Sequence, residues 1–235
     1  FFYVCLYFCI IILELDFSFS FDWSDVVYAG DGGAISLNAG GDILHDGIGL
    51  NSSSSSLLSS GNAGNGGAIT LNASGDITFL SFLSGLIDSS SDSSSGNAGD
   101  GGTITMNAGR DIVTNNVNSS SESNSGNARD GGDITFNAGG NIIARQIDSS
   151  SLSSEGNAGN GGAINLFARN GDIGEQLDFS IGKIVSKIVS FAVSEEQNSG
   201  RGGDVILEAN NSIINLQFLT ESSNSTSGTV QFKGS

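Results

Sequence analysis

The chain has 235 residues, enough for one or two globular domains or for one continuous solenoid. It carries 35 glycines, no proline and only 14% charged residues, which is unlike a compact enzyme. Its 37% hydrophobic residues recur at regular positions, which is unlike a disordered polar chain. A formal net charge of −17, from 25 acidic and 8 basic residues, argues against nucleic acid as a partner, because phosphate binding rests on Lys/Arg contacts; it suits a soluble extracellular surface.

In chain order, residues 1–27 form an apolar leader and a possible N-terminal cap. The run FFYVCLYFCIIIL ends at Glu14 and is shorter than the ~20 residues of a membrane-spanning helix. It has the length of a signal-peptide core but no basic start and no small-residue cleavage site, so it reads either as the tail of an export signal or as a truncated end. Cys5 and Cys9 both lie here, so the remainder has no disulfide framework and no zinc ligand set. Phe17, Phe19 and Phe21 then alternate with polar residues at the period of a half-buried strand. With Trp23 they read as an end cap or as an aromatic binding strip.

Residues 28–232 are a repeat domain. Six copies of one strand align, beginning at Gly33, Gly67, Gly102, Gly132, Gly162 and Gly203, and a shorter seventh runs from Gly228 to Phe232. Within each copy Ile or Val, then Leu, Met or Phe, then Ala share one face, as in Ile35, Leu37 and Ala39. A second strand is expected at Ile43, Ile77, Ile112, Ile142, Ile173 and Ile213, and a short third one at Ile87, Val117 and Ile147. Serine runs such as Ser52–Ser56 and Ser89–Ser95 read as solvated loops, open to O-linked sugars; Asn51 and Asn118 begin N-x-S sequons. Gly101, Gly131 and Gly161 stand 30 residues apart. This spacing predicts an all-β parallel β-helix of six to seven rungs and roughly 30 residues per rung, a period with no helical component. The stretch 174–198 reads as an insertion, with GKIVSKIVSFAV forming either a short helix or an added strand pair. Residues 233–235 end what reads as a fragment.

Stacking places equivalent residues of neighbouring rungs about 4.8 Å apart, so like residues form ladders. Ile69, Ile104, Ile134 and Ile164 fill the core. Asn38, Asn72, Asn107 and Asn137 are expected to form an amide ladder, since each amide can bond the copies above and below. Asp42, Asp76, Asp111 and Asp172 form a third ladder, interrupted by Asn141 and Ser212. These carboxylates are expected either to cap backbone N–H groups of their own turns or to bind calcium as a candidate metal site, with no other cofactor expected. The glycine pairs are expected to supply backbone freedom where the chain re-enters the sheet.

No catalytic constellation stands out. GNAGDGG lacks the Gly-Lys-Ser/Thr and the following helix of a phosphate loop, and it does not match calcium-binding nonapeptide spacing. His45 is the single histidine. The outward strip of the first strand is Ser36, Thr70, Thr105, Thr135, Asn165 and Ile206, without an acid/base pair; Asp133 and Asp204 lie near it in non-adjacent rungs.

The motif G-N-G-G-x-I-x-L-x-A-x-G-D-I at Gly64–Ile77, followed by I-D-S-S-S at Ile87–Ser91, resembles the repeat region of filamentous-haemagglutinin-like exoproteins, most of all cyanobacterial members with glycine- and serine-rich rods. The resemblance spans about residues 28–232. It implies a right-handed parallel β-helix, exported through an outer-membrane partner pore and secreted or displayed at the cell surface as an adhesin toward a carbohydrate or protein receptor. A sequence without proline cannot contain the Asn-Pro motifs of that family's secretion domain. A structural or adhesive repeat segment is therefore the leading expectation, and a carbohydrate-active β-helix enzyme or a calcium-stabilised surface repeat the alternative.

Overall fold

The computed structural model describes residues 11–12, 29–45, 49–56, 61–79, 86–174, 186–214, 216–220 and 222–234. The aromatic stretch at Phe17–Trp23 and both cysteines lie outside the described residues. The described chain is a parallel β-helix of three sheets, of seven, eleven and five strands.

The first sheet stacks Ile35–Ala39, Ile69–Ala73, Ile104–Ala108, Ile134–Ala138, Ile164–Ala168, Val205–Ala209 and Val230–Gly234 in chain order. Alternation makes this possible. Ile104, Met106 and Ala108 point inward and pair with Ile134, Phe136 and Ala138, while Thr105 and Asn107 face out over Thr135 and Asn137. Ile69, Ile104, Ile134 and Ile164 are 0% exposed, and each such burial is worth about 1.5–3 kcal/mol. The offset between paired rungs is 30 residues from Ile104 to Ile134 and to Ile164; it stretches to 41 from Ile164 to Val205.

The second sheet corrects one expectation. The second and third predicted strands are successive parts of the same sheet, fused in two rungs as Ile112–Asn118 and Ile142–Asp148. In the rung before, they are separate as Ile77–Phe79 and Leu86–Asp88, both paired to Ile112–Asn118. Of the stretch read as an insertion, Ser186–Val189 pairs with Gln146–Asp148 and Ala192–Ser194 with Ser151–Ser153. These residues are strands of the rung; 175–185 lies outside the described residues.

The third sheet is the larger correction. It is built from the serine runs: Ser54–Ser56, Ser91–Ser93, Ser121–Ser123, Ser151–Ser153, closed by Ala192–Ser194. Ser89, Ser90, Ser91, Ser119, Ser120 and Ser121 are 0% exposed. Several inward hydroxyls both donate and accept. Ser121 Oγ donates to the Gly99 carbonyl of the preceding rung at 2.7 Å and accepts the Arg129 N–H at 2.9 Å. Ser123 does the same between Gly96 O, 2.8 Å, and Gly126 N–H, 2.9 Å. The glycine-rich return segment would otherwise bury unpaired backbone groups, and serine is small enough to reach them.

The glycine pairs therefore have a different task from the one expected. The Ser119 hydroxyl donates to Gly102 O, and Gly132 N–H donates to Ser119 O at 2.8 Å. A Cβ at Gly101 would overlap the Ser119 carbonyl, and one at Gly102 would overlap the Ser89 hydroxyl and the Gly67 carbonyl. The pairs are glycine because two backbones meet there, a requirement of space.

Candidate functional site

Where the first sheet turns toward the second, the outer surface sinks into a groove that runs along the solenoid axis, with a volume of about 720 Å³. Asn38, Asn72, Asn107 and Asn137 form one wall, the alanines that follow them the floor, and Gly40, Ser74, Gly109 and Gly139 the opposite rim. The concavity is a consequence of side-chain size: the corner carries Ala, Gly and Ser in rung after rung, so nothing fills it.

The asparagines stand in register. Asn72 Nδ2 donates to Asn38 Oδ1 at 2.7 Å, Asn107 to Asn72 at 2.8 Å and Asn137 to Asn107 at 2.8 Å. They sit within strands, so extended backbone rather than a left-handed turn positions them. Each amide has two N–H donors and two acceptor lone pairs. The ladder uses one of each, and a rigid row of remaining donors and acceptors faces the groove. In the next rung Phe167 takes the asparagine position opposite Asn137, followed by Glu208 and Lys233. Arg169 lines the groove at this end and also a second hollow that contains Phe167, Glu208 and Lys233.

The aspartate ladder lies just beyond the rim. Each Oδ1 accepts a backbone N–H of the following rung rather than of its own turn: Asp42 from Asp76 at 2.8 Å, Asp76 from Asp111 at 2.9 Å, Asp111 from Asn141 at 2.6 Å, and Asp172 from Ser212 at 2.8 Å. Asn141 takes the same part, accepting from Asp172 at 2.9 Å, which explains why an amide can stand in this column. The Asp76 N–H, with the Arg110 guanidinium adding to it, holds the Asp42 carboxyl below its ordinary range. Arg110 Nη2 lies 2.8 Å from both Asp42 Oδ1 and Asp76 Oδ2, so a cation already bridges the first two carboxylates. Among the described residues no group of three or more metal-ligating side chains is arranged around one point. The GNAGDGG loops hold two further columns of this kind: Asn127 N–H donates to Asn97 Oδ1 at 2.8 Å, and Asn160 N–H to Asp130 Oδ1 at 2.7 Å.

Other candidates lie elsewhere. His45 is buried; its Nε2 accepts the Gly49 N–H at 3.1 Å and its ring packs 5.3 Å from Phe79. Asp133 and Asp204 accept N–H groups of Ala163 and Thr229, each at 2.8 Å. The sequon residue Asn51 turns its Oδ1 back onto Ser53 N–H at 2.8 Å, and Ser120 of the second sequon is buried.

Sequence reasoning missed an acidic corner between the second and third sheets. Asp88 and Asp148 end strands of the second sheet, with Asn118 between them. Asp92 and Glu122 pair in the third. Ser90 Oγ donates to Asp92 at 2.9 Å, Ser120 Oγ to Glu122 at 3.2 Å and Ser150 Oγ to Asp148 at 2.7 Å. Burial raises all four carboxyl pKa values. Asp92 is pushed up to about 7, the Asp88 and Glu122 charges adding to burial while the Ser90 hydroxyl opposes it. The recurring I-D/N-S-S-S pattern was the available signal, but only the pairing of the serine strands brings its acids together.

No family model, no curated protein and no solved structure matches this chain.

Proposed function

We propose that this chain is a structural and adhesive repeat segment of a secreted or surface-displayed bacterial exoprotein, holding a receptor along the side of its rod without breaking bonds in it. The axial groove carries this reading. It offers the same polar group at the same height in four successive rungs, which suits an extended ligand with its own repeat, such as a surface carbohydrate, better than a small molecule. The resemblance to filamentous-haemagglutinin-like rods supports the reading and supplies export through an outer-membrane pore.

The carbohydrate-active alternative draws on the acidic corner, where a carboxyl near neutral pKa stands one rung from a second carboxyl, the pairing a general acid and its partner require.

One experiment separates the two. The purified protein is exposed to immobilised linear polysaccharides, and both retention and new reducing ends are measured. Retention without cleavage, weakened in the double variant Asn107→Ala/Asn137→Ala, is the expected result. Reducing ends that disappear in Asp92→Asn would replace the adhesive reading with the enzymatic one, and neither retention nor new reducing ends on any polymer would remove both.

A further inference from the structure

The groove changes character along its length. Over its first four rungs it is lined by amides, alanine, glycine and serine, with no carboxylate, although the chain as a whole carries a net charge of −17. From the fifth rung onward three things change: the amide column gives way to half-buried Phe167, Arg169 enters the lining, and the adjoining hollow takes in Glu208 of the sixth rung and Lys233 of the seventh. Two cations against one carboxylate leave this end net positive by one.

Arg169 differs from the arginines that have work elsewhere. Arg110 bridges Asp42 and Asp76, Arg201 forks onto Asp204, and Arg129 lies 3.8 Å from Asp100. Among the described residues the Arg169 guanidinium has no ion pair and no hydrogen bond; its backbone N–H alone is tied down, to Ala138 O at 3.0 Å. A planar guanidinium with five free donors matches a carboxylate bidentately, and an adjacent aromatic face gives an apolar surface for the C–H side of a ring.

We propose that the groove binds a linear glycan whose neutral sugars lie along the Asn38–Asn137 amides and whose single carboxylate meets Arg169 beside Phe167. The proposal rests on the adhesive reading and names the ligand class within it. Low charge density is part of the assignment. The aspartate ladder lies just beyond the rim, within about one Debye length, so a polymer charged on every sugar would be repelled where a mostly neutral one with one acid is not.

The test uses two probes differing in one group: xylopentaose, and the same oligosaccharide carrying one glucuronic acid. Titration calorimetry on the whole chain at low salt should show the acidic probe bound about fivefold to tenfold tighter, in the range of one partly exposed charge-assisted pair, with the gap narrowing in high salt. Arg169→Gln should abolish the preference for the acidic probe. Arg145→Gln, on the second sheet, should leave that preference intact. Equal affinity of the wild-type protein for both probes, or a preference that survives Arg169→Gln, overturns the proposal. If the neutral probe then still binds, and is lost in the correctly melting Asn107→Ala/Asn137→Ala variant, the adhesive groove stands without the acid pocket. Failure of both probes to bind removes the two together.

Discussion

Replacing Asp92 with asparagine should stabilise the protein at mildly alkaline pH and leave it unchanged in acid. In the folded chain Asp92 holds its proton more tightly than in the unfolded one, because ionisation in the corner means charging a half-buried group beside Asp88 and Glu122. Its contribution to stability is therefore fully present below about pH 4 and is lost as the pH rises through about 7. The distance from 3.8 to about 7 sets a ceiling of about 4 kcal/mol at ~1.36 kcal/mol per pH unit. Asp92 keeps some contact with water, so about 1–2 kcal/mol is the realistic figure. Asparagine keeps an oxygen for the Ser90 hydroxyl and removes the charge. For a chain of this size, that corresponds to a rise in Tm of roughly 2–8 °C. Asp88, Glu122 and Asp148 are raised in the same direction, so the wild-type protein should itself melt higher at about pH 5 than at about pH 8. Asp42 and Asp204 are shifted the other way and act only below their ordinary range, outside this window. Thermal melts followed by far-UV circular dichroism would measure it. A wild-type Tm that rises steadily from pH 5 to pH 8, or an Asp92→Asn increment that does not depend on pH, would refute the reasoning.

The glycine, serine and aspartate columns make three further predictions. Gly102→Ala should cost about 3 kcal/mol or more or prevent folding, since the Gly66–Gly67 backbone and the Ser89 hydroxyl occupy the space of the new methyl. Gly40→Ala, with no atom within 4 Å of its Cβ, should be neutral or slightly stabilising; denaturant midpoints compare the two. Ser121→Val should lose about 2–4 kcal/mol by leaving Gly99 O and Arg129 N–H buried without partners, and hydrogen exchange should quicken at Arg129. Chelator should leave the melting temperature unchanged, because backbone N–H groups and Arg110 already satisfy the aspartate ladder; a drop on adding EDTA, reversed by calcium, would contradict this.

The first sheet was legible because its signal is one of period. Ile104, Met106 and Ala108 alternate with Thr105 and Asn107, and a shift by one residue would turn every apolar side chain outward. The asparagine column followed from the same alignment. The third sheet was not legible, because serine composition reads as solvated loop wherever burial is inferred from hydrophobicity. Ser89, Ser119 and Ser149 are buried for a reason that hydropathy does not carry: they complete the hydrogen bonding of a glycine backbone too close for any larger residue. The acidic corner was hidden by the same misreading, since Asp92 and Glu122 lie within those strands. The groove could not be read from its residues singly; its concavity is the sum of small side chains that recur at one corner.

Hydrogen bonds between strands paired in register run along the solenoid axis, whether from Asn137 to Asn107 or from Ile134 N–H to Ala163 O. Tension applied through the two chain ends therefore loads the outermost rung first and peels it away bond by bond, instead of shearing many bonds at once. Each peeled rung of 30 residues, as between Ile104 and Ile134, releases about 100 Å of chain at ~3.3–3.6 Å per residue. Under flow, such a rod would lengthen in small, reversible steps and keep its remaining rungs intact, acting as a shock absorber between whatever it joins. Single-molecule extension traces with one large all-or-none rupture, in place of a series of low-force steps, would show that the rungs do not yield one at a time.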